Sequence, residues 1–351
     1  MRPKDLSSRI SEWFQGSGPG ADIVISSRIR LARNLAGYEF LPCLTQQRKR
    51  QILRTLKEAI LGIDLGESVF YVDVDGVPAL EQELLVERHL ISRQHAMGKG
   101  PRGVVIAASE SFTAMINEED HLRIQAFQTG LQLRPCWERI NHIDNLIEQK
   151  VEFAFHPDYG YLTACPTNLG TGIRVSVMLH LPALKMAGQI DKFLQAARDA
   201  DLTVRGLFGE GTEAVGDFYQ LSNQVTLGVR EEDIVNQFND VIVPKIVEYE
   251  HLARRKLLDK QLDALDDKIQ RALGVLGNAR LISSQEALFL LSHIRLGVNL
   301  NRIQGLSIRT INELFMLTQP AHLQMNQGEP LDADRRDATR AGIIRSRLCR
   351  N

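Results

Sequence analysis

Ser26-Ser27-Arg28-Ile29-Arg30 closes an alternating run that begins at Asp22, and the two together read as a strand. Side chains two apart on a strand share a face, so Arg28 and Arg30 point the same way. A planar guanidinium suits phosphate oxygens, and two on one face can grip a polyphosphate. Taken alone, a solvated strand face is the simpler reading. Before the strand lies a flexible break, Gly16 to Gly20 (GSGPG). After it, Thr45 to Leu61 predicts a helix, with Thr45 as N-cap and Ile52, Leu53, Leu56 and Ile60 at helical spacing.

Further along, Val69 to Val74 and Gly103 to Ala107 read as strands on either side of a helical stretch, Glu81 to Ile91. Leu131 to Lys150 predicts a long helix, and a strand-rich block follows over Val151–Phe155, Tyr159–Ala164 and Ile173–Leu181. Lys185–Ala200 reads as helix and Phe218–Val225 as strand. From Glu231 the pattern turns helical: one long or interrupted helix to Leu273, then Ser283–Gly297, Ser307–Leu317 and Asp334–Arg347. The expected class is α+β to about residue 250, followed by an all-helical C-terminal domain.

The chain has 351 residues, enough for two domains, with 24% charged and 44% hydrophobic residues. A net charge of −1 gives no global field toward nucleic acid or a membrane surface. From His251 onward 16 Lys and Arg stand against 10 Asp and Glu, a local +6 that leaves −7 for the rest. A basic tail beside an acidic body suggests a separate task for the tail, such as binding anionic ligands. Cys43, Cys136, Cys165 and Cys349 form no CxxC pair and no zinc spacing, which fits a reducing compartment. No signal-peptide or membrane-spanning run is legible, so a cytoplasmic location is expected.

Three more segments concentrate chemistry. Asn117-Glu118-Glu119-Asp120-His121-Leu122-Arg123 packs three carboxylates, a histidine and an arginine into seven residues, a run that also suits a solvated loop. Cys165-Pro166-Thr167-Asn168-Leu169-Gly170-Thr171-Gly172 is a glycine-rich turn opening on a cysteine, with Arg174 beyond it. Such a cysteine is usually inert core, but on a polar turn near arginines it can be a low-pKa thiolate. The turn is no Walker A motif, because no Gly-Lys-Ser/Thr follows, and neither a dinucleotide fingerprint nor a protein-kinase catalytic loop is present. Arg205-Gly206-Leu207-Phe208-Gly209-Glu210-Gly211-Thr212-Glu213 is again glycine-rich, with an arginine and carboxylates. Five arginines (28, 30, 123, 174, 205) and two acidic loops, with no lysine-based phosphate motif, predict an arginine-built nucleotide site.

In their order, SSRIR, NEEDHLR, CPTNLGTGIR and RGLFGEGTE resemble the catalytic domain of the phosphagen kinases, the arginine and creatine kinases, over roughly residues 20 to 250. That family moves the terminal phosphoryl group of ATP to a guanidino nitrogen, and its fold is an antiparallel sheet flanked by helices. About twenty residues precede the SSRIR strand, too few for the helical N-terminal domain with which phosphagen kinases enclose a small substrate. The tail carries Arg336-Asp337-Ala338-Thr339-Arg340-Ala341, which resembles the RDxxRA signature of the family's bacterial branch acting on arginine in proteins, where it forms a phosphoarginine pocket. The resemblance implies a short segment 1–20, a phosphagen-kinase-like domain 21–250 and a helical domain 251–351.

By the same resemblance, Glu119 and Glu210 would clamp the guanidinium, with Glu119 as general base and Cys165 as a polarising thiolate. The nucleotide would meet Ser27, Arg28, Ile29, Arg30 and Leu31, then His89, Arg123, Arg174, Val175, Ser176, Val177 and Met178. It would also meet Arg205, Gly206, Leu207, Phe208, Gly209 and Glu210, with Mg²⁺ bridging the phosphates. Arg336 and Arg340 would hold the phosphate of phosphoarginine and Asp337 its guanidino nitrogens, a site distinct from the catalytic centre. Implied partners are protein substrates, a zinc-binding activator protein, an AAA+ unfoldase with its protease, a heat-shock repressor and further copies of the chain. A kinase for free arginine and a phosphoarginine-binding adaptor are the competing readings.

Overall fold

The structure, a computed structural model, describes residues 2–207 and 215–348. Two short turns, Pro3–Leu6 and Glu12–Phe14, lead into strand β1 (Val24–Arg33). The other strands are β2 (Val69–Asp73), β3 (Gly103–Ala107), β4 (Phe112–Ile116), β5 (Leu122–Thr129), β6 (Phe155–His156), β7 (Gly160–Tyr161), β8 (Ile173–His180), β9 (Leu202–Arg205) and β10 (Phe218–Asn223). Among them run helices α1 (Gln46–Leu61), α2 (Ala79–Glu87), α3 (Arg93–Met97), α4 (Leu133–Glu148), α5 (Pro182–Met186) and α6 (Ile190–Asp199). The chain then stays helical through α7 (Glu231–Gln237), α8 (Val243–Lys260), α9 (Leu262–Asn278), α10 (Ser284–Asn299), α11 (Ile308–Leu317), α12 (Pro320–Gln327) and α13 (Ala333–Leu348).

Eight of the described strands form one antiparallel sheet in the order β2-β3-β4-β5-β1-β8-β10-β9. The expected class, a helix-flanked antiparallel sheet followed by helices, is what the chain adopts. Thr45 caps α1 by accepting from the Arg48 amide at 3.3 Å, and Ile52, Leu56 and Ile60 line its buried face. Three strands escaped the sequence reading, β4, β5 and β9. β4 and the first six residues of β5 are buried on both faces, so no polar alternation marks them. Conversely, Val151–Phe155 and Tyr159–Ala164 yield only the two-residue β6 and β7. The expected Lys185–Ala200 helix breaks at Gly188, whose φ of +65° ends α5 before α6 begins. The Glu231–Leu273 helix breaks at Gln261.

Helix α4 covers one face of β1 and β5, and one apolar core runs from Trp13 and Ile29 to Leu265, Leu291 and Ile344. The helical tail therefore shares its core with the sheet. A smaller cluster joins Leu6, Val72, Leu85 and Val104 under α2.

Candidate active site

Register decides what the open face of the sheet presents. Arg30 pairs with Gln125 on β5 and Arg174 on β8, Arg28 with Phe127 and Ser176, and Ala32 with Arg123. On the far side Met178 pairs with Gln220, and Gln220 with Arg205. Every one of these positions has the same pleat parity, so five arginines from four strands face one way. They line a single cleft of about 290 Å³ together with His89, Glu119 and Cys165. The opposite parity is apolar: Ile29, Leu31, Ile124 and Val175 are fully buried in the core.

The acidic run is the hairpin between β4 and β5. Asn117 adopts φ +60° and its amide donates to the His121 carbonyl at 2.9 Å, which turns the chain tightly. Arg123 bridges to Glu118 at 2.7 Å and Glu119 at 2.6 Å. The Glu118 side chain is 1% exposed and also accepts from the Ser92 hydroxyl, whereas the Glu119 side chain is 32% exposed and lines the cleft. Asp120 ties two loops together, since one oxygen accepts from Asn34 Nδ2 and from the Ala164 amide, both at 2.7 Å. That bond fixes Ala164, and the next residue, Cys165, lines the same cleft as Glu119. Cys165 is partly exposed, and its Sγ lies 3.0 Å from the Thr167 hydroxyl. His121 Nδ1 accepts from the Leu35 amide at 3.0 Å, which assigns the proton to Nε2, facing the Glu39 carbonyl at 2.9 Å.

The cleft is strongly cationic. Burial, then Arg174, Arg205 and Arg123, push the Arg28 guanidinium down to about 10, and burial, then Arg28, holds Arg30 well below its ordinary value. Burial raises the Glu118 carboxyl, but Arg123 and Ser92 outweigh it and hold Glu118 below its ordinary value. Burial and the nearby Arg28 bring His89 down to about 3, so its ring is neutral. A polyanion entering here would relieve repulsion among the arginines, in a site where charge interactions are weakly screened.

The ATP:guanido phosphotransferase C-terminal catalytic domain matches residues 51–253, and the C-terminal domain of the protein-arginine kinase McsB matches 262–351. The protein-arginine kinase of Halothermothrix orenii is 43% identical over 99% of both chains, and that of Desulforamulus reducens 45% over 98% of this chain and 97% of its own. The chain belongs to the protein-arginine kinase family. It is a phosphotransferase with the phosphagen-kinase fold. Lombricine kinase superposes with a TM-score of 0.59 at 28% identity, over 71% of this chain and 70% of its own. The duplicated taurocyamine kinase from Schistosoma mansoni, with bound transition state analog components, gives 0.61 at 28% identity over 70% of this chain, which spans 35% of that longer protein.

In this kinase Ser27 lies behind the sheet face, its hydroxyl on the Gly130 carbonyl at 2.8 Å. Ser176 accepts from Arg28 Nε at 3.3 Å, and Val177 and Met178 border a recess beside Arg28. Gly206 and Leu207 are buried, while Phe208, Gly209 and Glu210 lie outside the described residues. The sequence reading passed over Ser92, Arg93, Glu118, Gln125 and Gln220, which also line the cleft. Strand parity from Arg123 would have found Gln125 had β5 been recognised; Ser92 and Arg93 carry no sequence signal.

In the tail, Arg336, Asp337 and Arg340 lie on α13, so the predicted helix is present. Arg340 is 1% exposed, and its Nε donates to the Thr318 carbonyl at 2.9 Å and its Nη1 to the Ile282 carbonyl at 2.7 Å. The same Nη1 reaches Asp337 at 2.5 Å. Arg336 Nη1 donates to the Leu331 carbonyl at 2.7 Å and remains partly exposed, as does Asp337.

Proposed function

We propose that this chain transfers the γ-phosphoryl group of ATP to a guanidino nitrogen of arginine side chains in proteins. The observation that carries the reading is the one-faced array of Arg28, Arg30, Arg123, Arg174 and Arg205, closed at one edge by Glu119 and Cys165. The arginines hold the phosphates and His89 meets the nucleoside. Glu119 takes the proton from the attacking nitrogen, with Glu210 as the second clamp. A guanidinium is cationic and a poor nucleophile, and a Cys165 thiolate would favour and polarise it without becoming phosphorylated.

Among the described residues no three His, Cys, Asp or Glu side chains gather to hold a metal ion. Mg²⁺ would enter on the phosphate oxygens of a nucleotide held by the arginines, and would there supply charge neutralisation for phosphoryl transfer. We read residues 1–20, 21–250 and 251–351 as leading segment, catalytic part and helical part. Arg336, Asp337 and Arg340 form a phosphoarginine pocket that senses the product on proteins and biases activity. Regulated proteolysis, self-association, a zinc-binding activator, an AAA+ unfoldase with its protease, a heat-shock repressor and a cytoplasmic location belong to the same reading. No described helix is long and apolar enough to cross a membrane.

The test incubates an unfolded model protein, or free arginine, with Mg-ATP and the kinase, then maps phosphoarginine by mass spectrometry without acid. Phosphoarginine in the protein and none on the free amino acid is the expected result; the reverse would make this a small-molecule kinase. A chain that binds phosphoarginine and transfers nothing would be an adaptor.

A further inference from the structure

The main cleft continues past Cys165 into a second recess of about 220 Å³, which shares Thr167, Asn168, Arg174 and Arg205 with it. This recess lies where β8 begins and β10 ends, and Thr203 of β9 and Gln224 help to line it. The recess bordered by Val177 and Met178 lies further along β8, and the two have no residue in common. They are separate branches of the cleft.

Its walls are pinned by hydrogen bonds to the backbone. Thr226 Oγ1 donates to the Leu169 carbonyl at 2.8 Å, and the Thr226 carbonyl accepts from the Thr171 amide at 3.1 Å. Asn223 Nδ2 donates to the Val225 carbonyl at 3.0 Å, while its Oδ1 accepts from the Val175 amide at 2.8 Å. The segment after β10 is thus tied to the turn that follows Cys165. Three lining side chains are left over: those of Asn168, Thr203 and Gln224 make no hydrogen bond among the described residues. Between them they offer two carboxamides and a hydroxyl, groups that both donate and accept. Thr203 has the pleat parity of Arg205, the face that looks into the cleft. Next to Gln224 and Thr226 in the chain, Val225 and Leu227 are 46% and 49% exposed.

Among the described residues, no aromatic ring and no carboxylate lines this recess. A base therefore finds no ring to stack on there, and a cation finds no counter-charge. A polypeptide main chain fits, because it alternates amide donors with carbonyl acceptors. Main-chain hydrogen bonds hold a segment whatever its sequence, and exposed apolar residues alongside suit the side chains of an unfolded one. We propose that this recess receives the main chain of the substrate polypeptide beside its target arginine. Thr203 and Gln224 are the hydrogen-bonding residues that favour a polypeptide over free arginine. This rests on the proposed transfer to arginine in proteins, and the experiment separates the two ideas.

The full chain is assayed with Mg-ATP and an unfolded model protein. Gln224→Ala alters an exposed side chain, and Thr203→Val keeps the shape of threonine in its strand while removing the hydroxyl. Each is expected to raise the KM for the protein about 2- to 10-fold, with kcat and the KM for ATP held. A peptide of that protein with citrulline in place of its arginine keeps the main chain and loses the cation. It should inhibit the wild type competitively against the protein, and both variants more weakly by the same factor. An unchanged KM for the protein in both variants, or a parallel rise in the KM for ATP, overturns the role of the recess. Equal inhibition of wild type and variants by the citrulline peptide does so too. If the wild type modifies free arginine and not the protein, the functional reading itself falls and takes this proposal with it.

Discussion

Arg174 stands opposite Arg30 on the sheet, with Arg28 one pleat along, and its Nε donates to the Ser222 hydroxyl at 3.2 Å. A guanidinium held so on a transferring phosphoryl group contributes a rate factor on the order of 10³ or more. Arg174→Ala and Arg205→Ala are therefore expected to lower kcat by about that factor with the circular dichroism spectrum unchanged; a folded variant with wild-type turnover would remove that arginine from the assignment. Asp120 works through others, since it fixes the Ala164 amide and hence Cys165. Asp120→Ala should lower kcat about 10- to 100-fold and leave the KM for ATP alone. A parallel rise in KM would mean that the whole cleft had shifted instead. The sequence displayed Glu119, Cys165 and the arginines, because residue type alone suggests chemistry. It did not reveal that Asp120 is the tie between them, since a carboxylate in an acidic run carries no mark of burial.

At the scale of elements, the Cys165 turn is shaped by close backbone approaches. Gly170 has φ +105°, and a Cβ there would lie 2.4 Å from the Thr226 carbonyl oxygen. Gly228 also has positive φ, +76°, but open space around it. Both substitutions by alanine incur the left-handed penalty of about 1–2 kcal/mol, and only Gly170→Ala adds a collision with the Thr226 backbone in the turn that follows Cys165. Activity assays should show Gly170→Ala far slower than Gly228→Ala; equal rates would detach the turn from catalysis. Legibility divides along the same lines. β1 and α1 announced themselves because one side of each is polar and the other apolar. β4 and β5 hid because both sides are buried, and the β9–β10 pairing that carries Arg205 joins segments whose partnership only the fold reveals.

For the whole molecule, buried histidines set the acid limit. Burial first, with Arg28 and Arg93 for His89, lowers His89 to about 3, and burial lowers His95 and His121 to about 4 each, against about 6.5 in an unfolded chain. The unfolded state thus binds more protons between these values. Their contribution to stability is complete above pH 6.5 and is lost as pH falls toward 4, each by up to about 1.4 kcal/mol per unit. Melting temperatures should decline steeply from pH 7 to pH 5, and His121→Asn should flatten that decline; a flat wild-type profile would contradict the buried neutral assignment.

Arg88, fully buried, donates its Nε to Glu110 at 3.0 Å and meets His322 Nε2 at 3.1 Å, while Glu87 accepts from the Ala321 and His322 amides. Glu87 and Arg88 end α2 immediately before His89, and His322 belongs to α12 in the tail. Prising α12 away would take the Ala321 and His322 amides from the Glu87 carboxylate and one partner from Arg88, at the end of the helix that leads into the cleft-lining His89. Heat should therefore melt tail and cleft in one calorimetric step, with activity vanishing in that same step. A chain cut after Lys260 should be recovered as aggregate, not as a smaller working enzyme.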